Sequence, residues 1–144
     1  MKEFERKQLV ERIDRDGATV GVRIPDRVEV QGEEVELRDF VFEIKRRETI
    51  PPGERDRVER AKRNLRRERI ERRELIEAGE VSFAEGERIA DAIVGIDRAL
   101  EALESLGSSS VEREAEAQEA ADTKRWMSFL KQALGQEDVS SRGL

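Results

Sequence analysis

The chain has 144 residues, a formal net charge of −6 at pH 7, 43% charged and 36% hydrophobic residues, and few aromatics. That composition fits one domain, or a small domain with a helical extension, built on a thin, elongated core. With no Cys, no His and no Tyr, disulfides, thiolate- or imidazole-bound metals, imidazole acid–base catalysis and Cys–His or Ser–His nucleophiles are excluded.

Residues 3–15, "EFERKQLVERIDR", predict a short helix with Leu9, Val10 and Ile13 on one face, ended by Asp16–Gly17. Phe4 falls on the opposite side. Residues 18–44 read as β-rich at first: Val20, Val22 and Ile24 alternate before Pro25–Asp26. Val28 and Val30 then alternate up to the turn "QGEE", and Val35 and Leu37 after it, which predicts a hairpin. "DFVFEI" satisfies both periods, and a short helix or turn is the preferred reading there. "PPGE" at 51–54 marks a helix start, and no Pro or Gly interrupts from Glu54 to Ala78. After a turn near 79–82, a second helix is expected from Phe83 to Leu106. Its Ile89, Ile93, Ile96, Leu100 and Leu103, with Ala92, Ala99 and Leu106 alongside, form a coiled-coil-like seam that needs a partner. "GSSS" at 107–110 is expected to end it and begin a last helix, 111–134. The polar residues 135–144 read as a disordered tail.

The expected architecture is therefore α+β and predominantly α. A small N-terminal element with an antiparallel β component (1–50) leads into a long antiparallel helical hairpin (51–107), a C-terminal helix (108–134) and the tail.

The basic charge is concentrated. Residues 51–75 hold 10 bases and 6 acids, whereas residues 76–144 hold 7 and 15. Acids that precede bases by four positions (Asp56–Arg60, Glu59–Arg63, Glu68–Arg72) account for much of this as a solvated helix face. "RAKRNLRR" at 60–67 has no acid. Its Arg60, Lys62, Arg63, Arg66 and Arg67, extended by Arg69 and Arg73, are the candidate contact for nucleic acid or a protein partner. No aromatic interrupts the strip, as stacking on bases would require. Docking of the strip on the acidic C-terminal helix is a further reading. The glutamates at the hairpin tip (Glu77, Glu80, Glu85, Glu87) read as solvated and capping groups, with Ser82 and Glu85 in a capping box, and no metal site is expected. "KRWMSFL" at 124–130 holds the single Trp. Trp126, Met127, Phe129 and Leu130 are candidate interface anchors, although packing of the last helix is the preferred role.

The blocks "KEFERKQLVERI", "FVFEIKRRETIPPGER", "AKRNLRRERIERRELIEAGEVS", "IVGIDRALEALESLG" and "KRWMSFLKQALG" resemble a haloarchaeal family of small proteins catalogued as a domain of unknown function. The resemblance spans nearly the whole chain and implies no activity, cofactor or catalytic residue. It implies a salt-in cytoplasm, in keeping with 22 Arg against 6 Lys and with the abundant Glu. In molar salt the Debye length is about 3 Å, so a basic strip there acts only by close contact.

No phosphate loop, dinucleotide fingerprint or paired-carboxylate site is present. The expected function is a non-enzymatic binding or adaptor protein, without cofactor or small-molecule substrate, whose hairpin engages a protein partner or a second copy. The alternative is an RNA- or ribosome-associated factor using residues 60–73. No apolar run reaches the roughly 18 residues of a membrane span and no signal-peptide core opens the chain, so a cytoplasmic location is expected.

Overall fold

The computed structural model describes residues 1–17, 23–47, 50, 54–109 and 120–142. Val20 and Val22 of the expected first strand, Pro51 to Gly53, Ser110, residues 111–119 of the expected last helix and residues 143–144 lie outside them. Among the described residues the order is α1 (Glu3–Gly17), β1 (Val28–Val30), β2 (Glu33–Val35), α2 (Leu37–Arg46), α3 (Arg55–Ala78), α4 (Phe83–Ser109) and α5 (Ala120–Arg142). The fold is α+β and predominantly α, as the patterning implies.

The spine is the antiparallel pair α3 and α4. Gly79 ends α3 in the left-handed region (φ 70°), where a glycine carries no Cβ penalty, and its N–H donates to the Ile76 carbonyl at 3.1 Å. Ser82 then caps α4, its Oγ accepting the Glu85 N–H at 3.1 Å. The expected seam of α4 is buried throughout, and so are Ala90, Val94 and Ala102. A helix apolar on nearly every side belongs in the middle of a fold. Here α4 packs against α1, α2 and α3 together, so the seam is filled by several elements of its own chain rather than by one coiled-coil mate. The helix also runs past Leu106 through Gly107 to Ser109, beyond the expected stop.

Two cores divide the hairpin. Near the tip, α1 inserts Leu9 and Ile13 against Ile76, Ile89 and Ile93, leaving Phe4 64% exposed. At the base, α2, the β-hairpin and α5 close over Val58, Leu65, Ile96, Leu103 and Leu106.

β1 and β2 pair antiparallel in the register Val28↔Val35 and Val30↔Glu33. The two-residue turn Gln31–Gly32 has positive φ at both positions (48° and 83°), the geometry whose twist matches the flanking strands. Gln31 is held there by α3: Glu68 accepts its backbone N–H at 2.9 Å and its side-chain amide at 3.0 Å. Leu37, expected to continue the strand, instead begins α2. Leu37, Phe40, Val41 and Ile44 are buried at helical spacing, and Phe42 is 63% exposed. In a strand Phe40, Phe42 and Ile44 would share one face, so burying all of them but Phe42 requires the helix. Leu37 also packs tightly on α4: a Cβ at Gly95 would stand 2.6 Å from its Cδ2.

α5 lies across α3 and β2. Beyond Gly135 (φ 63°, ψ −159°) the backbone returns to helix as far as Arg142, in the stretch whose polarity suggests a tail. The break has a physical cause. A Cβ at residue 135 would lie 3.2 Å from the Gln31 carbonyl, and buried Asn64 donates to the carbonyls of Ala133 (3.2 Å) and Leu134 (2.6 Å), ending the ladder there.

Candidate functional site

The strip on α3 does not form one open face. Ala61, Lys62, Asn64 and Leu65 are buried, because α3 is covered by α4 on one side and α5 on another. Lys62 reaches out to Glu59 at 3.1 Å, and Arg60 is half-buried. Arg66 pairs with Glu104 (3.7 Å) and Arg69 with Asp97 (2.9 Å), both on α4. Arg73 meets Asp14 of α1 at 3.3 Å and Glu77 at 3.2 Å. The hydrogen bond to Glu77 does most to push the Arg73 guanidinium above its usual range; burial opposes it and Asp14 adds to it. Arg67 pairs along the helix with Glu71 at 3.8 Å, and Arg63 is exposed. Among the described residues, the acids that meet the strip from other helices lie on α4 and α1; the acidic residues 112–119 of the expected C-terminal helix lie outside them. Glu68–Arg72 closes at 2.8 Å as its spacing implies, whereas Glu59 turns to Lys62.

At the hairpin tip, no three acidic side chains among the described residues gather as a metal ligand set.

"KRWMSFL" lies inward. Trp126, Phe129 and Leu130 are buried and Met127 is partly buried, with Arg57 Nη1 3.6 Å from its sulfur. Phe40 stands between the Trp126 ring (6.3 Å) and the Phe129 ring (6.0 Å), contacts that contribute about 0.5–1.5 kcal/mol beyond burial. The indole N–H donates to Glu54 Oε2 at 2.6 Å. Glu54 occupies the N-cap position of α3 without a side-chain cap bond, so its carboxylate serves Trp126 instead.

Around that indole the structure gathers charges that sequence spacing does not single out. Arg47 lies over the Trp126 ring, 4.6 Å from its centroid. Buried Glu43 of α2 faces three guanidinium groups: Arg125 of α5 at 3.1 Å, Arg47 at 3.6 Å and Arg46 at 3.7 Å. Three guanidinium groups thus converge on one buried carboxylate, and a second, Glu54, holds the indole that Arg47 covers. Phe42 stands exposed beside this α2–α5 corner, with Arg46 5.9 Å over its ring. The signal lay in "FEIKRR" at 42–47, three consecutive bases beginning three residues after an aromatic, and in "KR" immediately before Trp126.

The chain belongs to a family of unknown function, DUF5788. The match covers residues 1–131, which takes in α1 to α4 and α5 as far as Lys131. No curated protein and no solved structure matches the chain.

Proposed function

We propose that this member of DUF5788 is a non-enzymatic binding protein of the adaptor type, whose contact surface is the α2–α5 corner and whose partner is an acidic protein surface. One observation carries this reading: Arg46, Arg47 and Arg125 converge on buried Glu43, and Phe42 stands 63% exposed beside them. Exposed aromatics flanked by arginine are the residue types that dominate interface energetics. Opposite charge on the partner would set register and exclude wrong partners.

No helix among the described residues is long and apolar enough to cross a membrane. The arginine and glutamate usage supports a salt-rich cytoplasm as the setting, where docking depends on contact rather than steering. RNA contact, the competing function, would fall on Arg63 and Arg67, the members of the α3 strip most open to solvent.

Photo-crosslinking separates the two. A benzophenone side chain is placed at residue 42 or at residue 63, and adducts are recovered from salt-matched lysate with and without nuclease. The expected result is a nuclease-resistant adduct with an acidic protein from position 42, absent in Arg46→Glu. Adducts from position 63 alone, lost with nuclease or when Arg66 and Arg67 are both replaced by Glu, would establish RNA contact instead.

A further inference from the structure

α1 lies in the groove between α3 and α4 and fills the half of it nearer the tip. Leu9 and Ile13 go to the floor, against Ile76, Ile89 and Ile93. On one flank Asp14 meets Arg73 of the α3 wall at 3.3 Å, and on the other Arg12 pairs with Asp91 of the α4 wall. The stretch "LVERID" at 9–14 thus sets two apolar residues four apart, with a base just before the second and an acid just after it. On a helix such neighbours project about 100° to either side, so they reach opposite walls.

α1 stops at Gly17, and the groove goes on as a cleft of about 430 Å³. Ile13, Ile93 and Leu100 are buried at its floor, and Ile70 stands 53% exposed at its rim. The walls keep their order here, with Arg66 and Arg69 on α3 and Asp97 and Glu104 on α4. Beyond the end of α1 they meet one another across the gap, Arg69 with Asp97 at 2.9 Å and Arg66 with Glu104 at 3.7 Å. Glu101 turns to Arg98 of its own helix at 3.3 Å. Every acid of the cleft therefore has a partner, and no surplus charge draws an ion. What the cleft offers is an apolar floor between walls of opposite sign, closed by partly exposed pairs that exchange at little cost. From Asp97 to Glu104 it runs about 10 Å, or two turns of helix.

We propose that this half of the groove docks an amphipathic helix of a protein partner, in line with α1 and running the same way. Its apolar residues, four apart, rest on Ile70, Ile93 and Leu100. Its acid takes over Arg66 or Arg69 and its base takes over Asp97 or Glu104, as Asp14 and Arg12 do in the filled half. The order of the walls also fixes direction, because a reversed helix would set acid against acid and base against base. This surface lies apart from the α2–α5 corner and does not depend on what that corner binds.

The probe is a synthetic, fluorescein-labelled peptide with the sequence of residues 3–17, and its control carries Arg12→Asp and Asp14→Arg. Both are titrated against the purified full chain by fluorescence anisotropy. Saturable binding is expected, about fivefold or more tighter for the probe than for the control. Ile70→Glu, at an exposed position, is expected to weaken the probe about tenfold. Arg66→Glu combined with Glu104→Arg reverses the walls away from the seat of α1, and is expected to narrow the preference between the two peptides about threefold or more. Absence of saturable binding, or equal affinity for probe and control, overturns the proposal. So does a probe titration unchanged by Ile70→Glu or a preference unchanged by the wall exchange, which would show the peptide replacing α1 in its own seat. A dimer of the chain alone in sedimentation, lost in Ile70→Glu, would assign the groove to a second copy and overturns it too. If Ile70→Glu loses helix content by circular dichroism, the wall exchange decides.

Discussion

The strip on α3 and the corner between α2 and α5 use the same residue types but settle their charges in opposite ways. Along the strip, Arg66, Arg69 and Arg73 each find an acid on a neighbouring helix, at moderate exposure. At the corner, Glu43 is 4% exposed and answers for three arginines. A run of bases in sequence therefore says little about how each charge is met after folding. Exposed pairs contribute about 0–1 kcal/mol and fade with salt, whereas a buried carboxylate that loses or gains partners is felt strongly.

The contrast can be broken at graded cost. Glu43→Ala removes the buried carboxylate that Arg46, Arg47 and Arg125 share, and a loss of about 3–5 kcal/mol in urea unfolding is expected, retained in molar salt. A loss below about 1 kcal/mol would show that the corner is as solvated as the strip. Next comes Asn64→Ala. Asn64 sits inside the basic run yet faces inward, and removing its amide orphans two buried carbonyls of α5 at about 1–3 kcal/mol. Arg69→Gln is smaller. The pair with Asp97 is half-exposed, so a double-mutant cycle should return at most about 1 kcal/mol, shrinking as salt rises. Smallest is Arg67→Gln, whose 3.8 Å pair lies on the outer face and whose loss should stay within about 0.5 kcal/mol. Inverting the order of Arg69 and Arg67 would undo the distinction between interhelical and same-helix pairs.

The hairpin was legible in the sequence because its signals are local: no breaker from 54 to 78, a glycine at 79, a capping serine at 82 and a long apolar period after it. The β-turn was legible for the same reason. α2 was not decided, since "DFVFEI" is too short to separate the two periods, and only burial against α4 placed Phe42 outside. The fate of the strip was out of reach. Asp97 lies 28 positions from Arg69, and Asp14 lies 59 from Arg73, distances no helical spacing can relate. The corner was missed because its parts are dispersed: Glu43 and Arg125 are 82 positions apart. Trp126 was foreseen as a packing anchor, but its partner Glu54 was masked by its resemblance to a helix cap.

The polar ties of α5 bear on the order in which the chain assembles. Glu54 to Trp126 spans 72 positions, Asn64 to Leu134 spans 70, and the Gln132 side chain accepts the Glu36 N–H across 96. Loop length alone does not set these ties apart, since the α1–α4 contacts of the tip core span as far (Arg12 to Asp91 is 79 positions), but every one of them needs the last helix. In a chain emerging from its N-terminal end, the tip core of α1, α3 and α4 can assemble while the base waits for the last helix. Opening should reverse that sequence, with α5 leaving first and baring Phe40, Leu65 and the corner arginines together.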